Sequence, residues 1–493
     1  MSRRYLFLAV VYVLLTTAYG ATIFVPDNYP TIQSAVDAAL PGDKVIVRPG
    51  TYVENVLFPN KAITLKSEEG ADLTVIDGNQ AGSTVRFELN TGHGSVLEGF
   101  TITNGSGTFW SSADFGGGVY CDQASPTITR CVIAGNTCDW GGGLFVNEGD
   151  PELTFCTIGD NHVVKYGGGG YCYRSTTTLR WCTIEGNDAA LGGGFYSHYS
   201  ATKIVDTLFD GNTTSGYSGA GLACGTDSTT MVANSIFIDN VATGQYAVGG
   251  GIRCYLCLPT IVNCTVVNNR ASYEGGGIQC EFSNAVIMNT IVWGNSAWSD
   301  PELCAQQSSP YVAYCNVKGG WNGPGNIDSD PLLVDPGARD FHLYYTSPCR
   351  DAGTGIAPGL PADDPEGDPR SAYLQVDIGA DEFYEHLYWR GSASPGAVFE
   401  IAVVGHPGAL PGVGLGRGVL PSPVPTPFGD FFLRLPLTGF WTLPALPGSG
   451  ILVSPVTLPG SAVPGTLLPF QAFLGPSGGR PARLTNLTAI RVE

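Results

Sequence analysis

Four acids stand beside an asparagine in four successive stretches of the chain: Asp160 in "CTIGDN", Glu185 in "CTIEGN", Asp210 in "DTLFDGN" and Asp239 in "NSIFIDN". Glycosidic-bond hydrolysis uses two carboxylates held about 5 to 10 Å apart, one as acid and one as base or nucleophile. A lyase acting on a uronate would also need Arg or Lys beside the acids, and no basic column runs with these four. The same acids read equally as the solvated edge of an acidic chain.

The densest acid clusters lie further on, Asp328, Asp330 and Asp335 in "NIDSDPLLVDP" and Asp363, Asp364, Glu366 and Asp368 in "ADDPEGDPR". Oxygen-rich sets suit calcium, but neither stretch follows the twelve-residue loop that ends in Glu. Asp in a turn also hydrogen-bonds its own backbone, which needs no ion. No cofactor is expected, and calcium is the metal these clusters admit. Cys254 and Cys257 in "CYLC" have the spacing of half a zinc site, with no second tight pair to complete it.

The sharper signal is aromatic. Two residues after a glycine triplet stand Tyr120, Phe145, Tyr171 and Tyr196 in four successive units, followed by Ala223, Arg253 and Gln279. Just before the triplets stand Phe115, Trp140, Tyr166 and Leu191, then Ser218 and Glu274. If both columns point outward they form an exposed apolar strip about 15 Å long, at one strand spacing per unit. Such rings would bind the faces of sugars along a polysaccharide, receive another part of the chain, or stack on one another and only stabilise the sheet.

Columns of this kind exist only if the units lie on top of each other. Triplets begin at Gly116, Gly141, Gly167, Gly192, Gly249 and Gly275, with "GAG" at Gly219, so the spacing runs 25, 26, 25, 27, 30 and 26. A second element closes on Asn136, Asn161, Asn187, Asn212, Asn240, Asn269 and Asn295, and an eighth copy, "GFTITN", ends at Asn104. A period of 20 to 50 residues marks a solenoid, and the apolar alternation inside each unit is that of strands. Parallel strands stacked about 4.8 Å apart give a parallel β-helix filled by columns of like side chains. Glycine suits turns where a Cβ or a negative φ would be penalised, and asparagine can pair its amide with the same amide one coil away.

The units resemble the "GGA-[ILV]" and "F-x-x-N" repeats of polymorphic outer-membrane proteins, here "GGGI" at Gly275 to Ile278 and "FIDN" at Phe237 to Asn240. The chain from about 22 to 384 also resembles the pectin-lyase-like right-handed parallel β-helix superfamily. Its opening, "TIFVPDNYPTIQSAVDAALPGDKVIVRPGTY", reads as strand, short amphipathic helix with Ile32, Val36, Ala39 and Leu40 on one face, then strand. In that superfamily such a helix plugs the N-terminal end of the core. The resemblance implies chemistry in a groove along one outer face, with carboxylates, a basic residue and sometimes calcium. "GHG" at Gly92 to Gly94 resembles one piece of the polygalacturonase pattern, but the paired aspartates and "RIK" are missing, and His93 reads as a turn residue.

The fold class expected is all-β, a right-handed parallel β-helix solenoid with an N-terminal capping helix, followed by a small C-terminal β-sandwich. Residues 21–386 form the solenoid, with repeats at about 95–300 and closing coils at 301–386 that carry "SPCRDAG" and "VDIGADEF". Residues 387–493, rich in Pro and Gly with short alternating runs, form the sandwich. Disorder is the competing reading there, and Phe431, Phe432, Trp441 and Phe470 argue for a packed core. With charged residues at only 14%, Gly at 68 and Pro at 34, helix should be scarce.

Of the 14 Cys, Cys131, Cys156, Cys182 and Cys264 share one position of the unit, and Cys121, Cys172, Cys224, Cys254 and Cys280 share another. Both columns read as inward apolar thiols, because parallel stacked side chains disfavour the disulfide dihedral. Cys304, Cys315 and Cys349 are the better disulfide candidates. Residues 1–20, with Arg3 and Arg4 before an apolar run from Leu6 to Leu15, read as a signal peptide cut before Ala21 and too short to span a membrane. A secreted or cell-surface monomer is expected, with no membrane span once processed. A net charge of -19 excludes nucleic acid as a partner.

Two functions remain open on these residues. One is a structural and binding protein that presents the aromatic strip to polysaccharide or a cell-surface glycan. The other is a lyase or glycoside hydrolase acting on acidic polysaccharide. Fold alone cannot choose between them.

Overall fold

The computed structural model describes residues 20–383 except 345, 368–369 and 371–374, and beyond them only the backbone of strands between 387 and 491. All but Gly20 of the expected signal peptide therefore lies outside the described residues. Each repeat passes through four short strands, as in Thr127–Thr129, Val132–Ala134, Thr137–Trp140 and Leu144–Asn147. Stacked coil upon coil, they build four sheets. Sheet 1 has 12 strands, from Thr22–Val25 to Tyr311–Ala313, and sheet 2 has 11, from Gly50–Val53 to Asn316–Val317. Sheet 3 has eight, from Thr108–Trp110 to Arg270–Ala271, and sheet 4 has ten, from Val56–Phe58 to Leu303–Gln306. All pairs between coils are parallel; the hairpin of Thr108–Trp110 with Ala113–Phe115 is the antiparallel start of sheet 3.

Period 2 decides what faces inward. Ile128 pairs with Leu153, Ile133 with Ile158 and Val146 with Cys172, and all six are buried in one continuous core. Fully burying such a side chain is worth about 1.5–3 kcal/mol, so a one-residue slip, which turns every inward group outward, is strongly disfavoured. Both cysteine columns lie in this core. Cys304, Cys315 and Cys349 are free and buried, which corrects the disulfide expectation for these three.

The asparagines form a ladder. Asn136 Nδ2 donates to Asn161 Oδ1 at 3.0 Å, Asn161 to Asn187 at 3.0 Å, and Asn187 to Asn212 at 3.0 Å. The series continues through Asn240 and Asn269 to Asn295 at 2.9, 2.8 and 3.0 Å. Asn104 is not part of it. Thr101 and Ile102 pair with Val132 and Ile133, so Gly105 stands opposite Asn136 and gives it a backbone N–H at 2.9 Å. Asn104 instead occupies the left-handed corner one residue earlier, with φ 55°.

The triplet does two jobs. Its first glycine turns left-handed, with φ 67° at Gly141 and 69° at Gly167. Its second and third sit against the next coil: a Cβ on Gly142 would meet Gly168 O at 2.6 Å, and one on Gly143 would meet Gly169 O at 2.5 Å. A side chain at Gly142 or Gly143 would collide with that backbone, although the "GAG" coil accommodates Ala220 at the second position.

One α-helix, Ile32–Ala38, lies between the first two strands of sheet 1, with the Thr31 side chain capping Ser34 N and the Glu54 carboxylate accepting the Ile32 and Gln33 amides at 2.9 and 3.0 Å. Ile32, Ala35, Val36 and Ala39 join the main core. Leu40, expected on the same face, is 67% exposed, because the chain leaves the helix at Ala39 with extended dihedrals. Between Leu387 and Arg491, nine strands pair antiparallel in sheets of three, four and two. The side chains of Phe431, Phe432, Trp441 and Phe470 lie outside the described residues. No helix among the described residues is long and apolar enough to cross a membrane.

Candidate aromatic cleft and acidic pocket

The two aromatic columns are in register. Phe115 pairs with Trp140, Trp140 with Tyr166 and Tyr166 with Leu191 on sheet 3. Tyr120, Phe145, Tyr171 and Tyr196 pair in the same order on sheet 4. All point away from the main core, as alternation predicts, yet they do not lie on a flat exposed strip. The glycine triplet bends the chain between the sheets, so the columns face each other across a concave corner. Trp140 meets Tyr171 edge to face at 5.2 Å, Phe115 meets Phe145 at 4.7 Å, and Phe145 stacks on Tyr171 at 5.9 Å. As a result Phe115, Tyr120, Phe145 and Tyr171 are buried, and Trp140, Tyr166 and Tyr196 are half-buried.

All of these rings except Tyr120 wall a cleft of about 450 Å³. Trp110, on the hairpin before the first triplet, closes one end, while Tyr173 and His198 stand toward the other. Trp110 escapes a reading based on the repeat because it lies outside the repeat, and Tyr173 and His198 because their position varies between units. The cleft lining holds no carboxylate, Lys or Arg. Burial pushes the Tyr196 phenol up to about 12 and lowers His198 below its ordinary value, so the cleft is uncharged at neutral pH. Tyr171 Oη lies 3.0 Å from His198 Nδ1. The Trp140 indole N–H is buried with no acceptor, an unsatisfied donor in the cleft wall.

The four acids beside the asparagines are not equivalent. Glu185 and Asp210 pair across adjacent coils of sheet 2. Asp160 and Asp239 occupy the next position, with φ 52° and 55°, where other coils place Gly135, Gly186 and Gly211 at 68°, 61° and 60°. Asp is one of the few residues that tolerate this conformation, which accounts for both without catalysis. Nor is the column free of a basic partner. Arg339 follows the 3-10 turn Pro336–Ala338, in the segment after the last strands of sheets 1 and 2, and bonds Asp210 Oδ2 and Oδ1 at 2.7 and 2.6 Å and Asp239 at 2.9 Å. No local spacing could foretell a contact 129 residues apart.

The acids of the two clusters bond backbone and side-chain groups of their own turns or of neighbouring segments. Asp328 accepts Gly319 N at 3.0 Å, Asp330 accepts Leu332 N at 2.9 Å and Asp335 accepts Ala338 N at 3.2 Å. Asp364 accepts Glu366 N and Glu382 N at 2.9 and 3.1 Å, and Asp363 gives its carbonyl to Asn234. Asp368 lies outside the described residues. His93 lies in a turn. Among the described residues, the one group of three or more His, Cys, Asp or Glu whose ligand atoms all lie within 4.8 Å of one another is His342, Glu366 and Asp381. With Arg339 and Phe341 these line a second pocket of about 160 Å³.

No family model and no curated protein matches the chain. Among solved structures it is similar to XylC in complex with xylose, at 9% identity and a TM-score of 0.32, over 78% of this chain and 89% of the other. It is similar also to the enzymatically active domain of bacteriophage CBA120 tailspike protein 4, at 11% identity and a TM-score of 0.24, over 85% of this chain and 61% of the other. Likenesses of this size leave the reading of the site to its own geometry.

Proposed function

We propose that this is a secreted or surface-attached β-solenoid that binds polysaccharide in the aromatic cleft between sheets 3 and 4, and that the strands after Leu387 form a sandwich serving attachment or assembly. One observation carries the reading: an uncharged cleft walled by the rings of two facing aromatic columns. A sugar offers an apolar ring face to those walls. Binding is favoured over hydrolysis because the lining lacks carboxylates, and because Asp210 and Asp239 are engaged by Arg339.

The test is retention on a panel of plant and algal polysaccharides, comparing the wild type with Trp140→Ala and Tyr166→Ala, each checked for an unchanged thermal midpoint. Weaker retention of both variants is expected; unchanged retention removes the cleft as the binding face. The same panel, followed for reducing ends and for absorbance of unsaturated products, should stay silent. Turnover that Glu185→Gln abolishes would overturn the binding reading in favour of an enzyme.

A further inference from the structure

Three chain segments that the repeat does not govern meet in the pocket beside Arg339. His342 comes from the strand Asp340–Leu343, Glu366 from an exposed turn, and Asp381 from the buried closing stretch. One ring nitrogen and two carboxylate oxygens lie within 4.8 Å of one another. Behind the ring, Asp340 Oδ1 sits 2.6 Å from Nδ1, and on its other side Nε2 lies 3.0 Å from Glu366 Oε2. A carboxylate holding one imidazole nitrogen while the other faces further ligands is the arrangement that orients histidine toward a metal.

Asp381 supplies an independent observation. It is only 9% exposed, and the one hydrogen bond it accepts among the described residues comes from the Leu343 amide at 3.3 Å. A buried carboxylate with so few hydrogen bonds needs positive charge beside it, which either a protonated His342 ring or an ion in the pocket supplies. The pocket of about 160 Å³ that it lines has room for an ion and its water.

We propose that His342 Nε2, Glu366 and Asp381 bind a divalent first-row transition-metal cation, with water in the remaining positions. An imidazole among carboxylates separates this site from an all-oxygen calcium site. Its ligands are 24 and 15 residues apart in sequence, so the ion ties three segments of the closing region together where they cover Leu208 and Ile236. The site shares no residue with the aromatic cleft.

Mn²⁺ is the probe, because it favours oxygen and nitrogen over the many thiols of this chain. Full-length protein, stripped with a chelator, is titrated while free Mn²⁺ is followed by electron paramagnetic resonance. One saturable ion per chain is expected, with affinity reduced at least tenfold in Glu366→Gln and in Asp381→Asn, and unchanged in Asp328→Asn. Mn²⁺ should raise the thermal midpoint of the wild type and not that of Glu366→Gln. Absence of a saturable site, or a site that survives both Glu366→Gln and His342→Gln, overturns the proposal. Should Asp381→Asn fail to fold, Glu366→Gln, on its exposed turn, decides alone.

Discussion

Glu302 ends the asparagine ladder: Asn295 Nδ2 donates to its Oε2 across 2.7 Å, and the Gly294 and Asn295 amides reach the same carboxylate at 2.9 and 3.2 Å. Burial raises the Glu302 carboxyl above the ordinary glutamate range despite these three bonds. The folded state thus keeps a proton that the unfolded chain has already released. The stability this group contributes is full below the ordinary glutamate value and is lost as pH rises through the folded value. Denaturant midpoints measured from pH 4 to 7 should fall less steeply for Glu302→Gln than for the wild type. Glu302→Ala, which strands three donors, should cost about 2–3 kcal/mol.

A rung inside the ladder should cost more. Asn187 accepts from the Asn161 backbone and side chain and donates to Asn212 and to Ile158 O. Asn187→Ala leaves buried groups on both neighbouring coils unpaired, for an expected loss of about 3–5 kcal/mol in equilibrium unfolding.

Two glycines of the same coils should behave differently on substitution by alanine. Gly143→Ala drives a Cβ to 2.5 Å from a carbonyl of the next coil, whereas Gly211 has open space and only a φ of 60° to satisfy. Losses of about 3 kcal/mol for Gly143→Ala and about 1–2 kcal/mol for Gly211→Ala are expected from denaturant titrations.

Arg370 is 1% exposed, bonds Asn234 Oδ1 at 2.9 Å and pairs with the equally buried Glu382 at 3.1 Å. Arg370→Met removes the charge opposite that carboxylate, leaving it, among the described residues, only the Asp377 amide at 3.1 Å, and should cost about 3–5 kcal/mol. Adding Glu382→Gln should return part of the loss, which a double-mutant cycle would measure.

Two phenols of the aromatic columns should titrate late. Burial pushes Tyr120 and Tyr196 up to about 12, so a spectrophotometric pH titration of the folded protein should find both still protonated at pH 10. Tyr196→Phe and Tyr120→Phe should each leave the absorbance change up to pH 10 as it is in the wild type; a smaller change in either variant would show that its phenol is not desolvated.

Repeats were legible because each inward position recurs once per coil: the cysteine columns, the alternating strands and seven of the eight asparagines follow from spacing alone. Asn104 misled because the letters "TITN" match the repeat while the strand pairing sets it one residue early. The aromatic columns were legible as columns but not as facing walls. Sequence gives which residues stack, whereas the angle between two sheets depends on how the glycine bend folds the coil. Arg339 with Asp210, and His342 with Glu366 and Asp381, are beyond any periodic reading, because non-repeating segments bring them together.

Every amide in the ladder points the same way, each giving its N–H to the coil that follows. The solenoid can therefore gain or lose height only in whole turns. Deleting one complete turn rejoins a donor to an equivalent acceptor, whereas residues added or removed between rungs leave the relay intact, as intervals of 25, 28 and 29 residues along it show. Height in this architecture is a digital quantity, and engineered versions should come in integer numbers of turns.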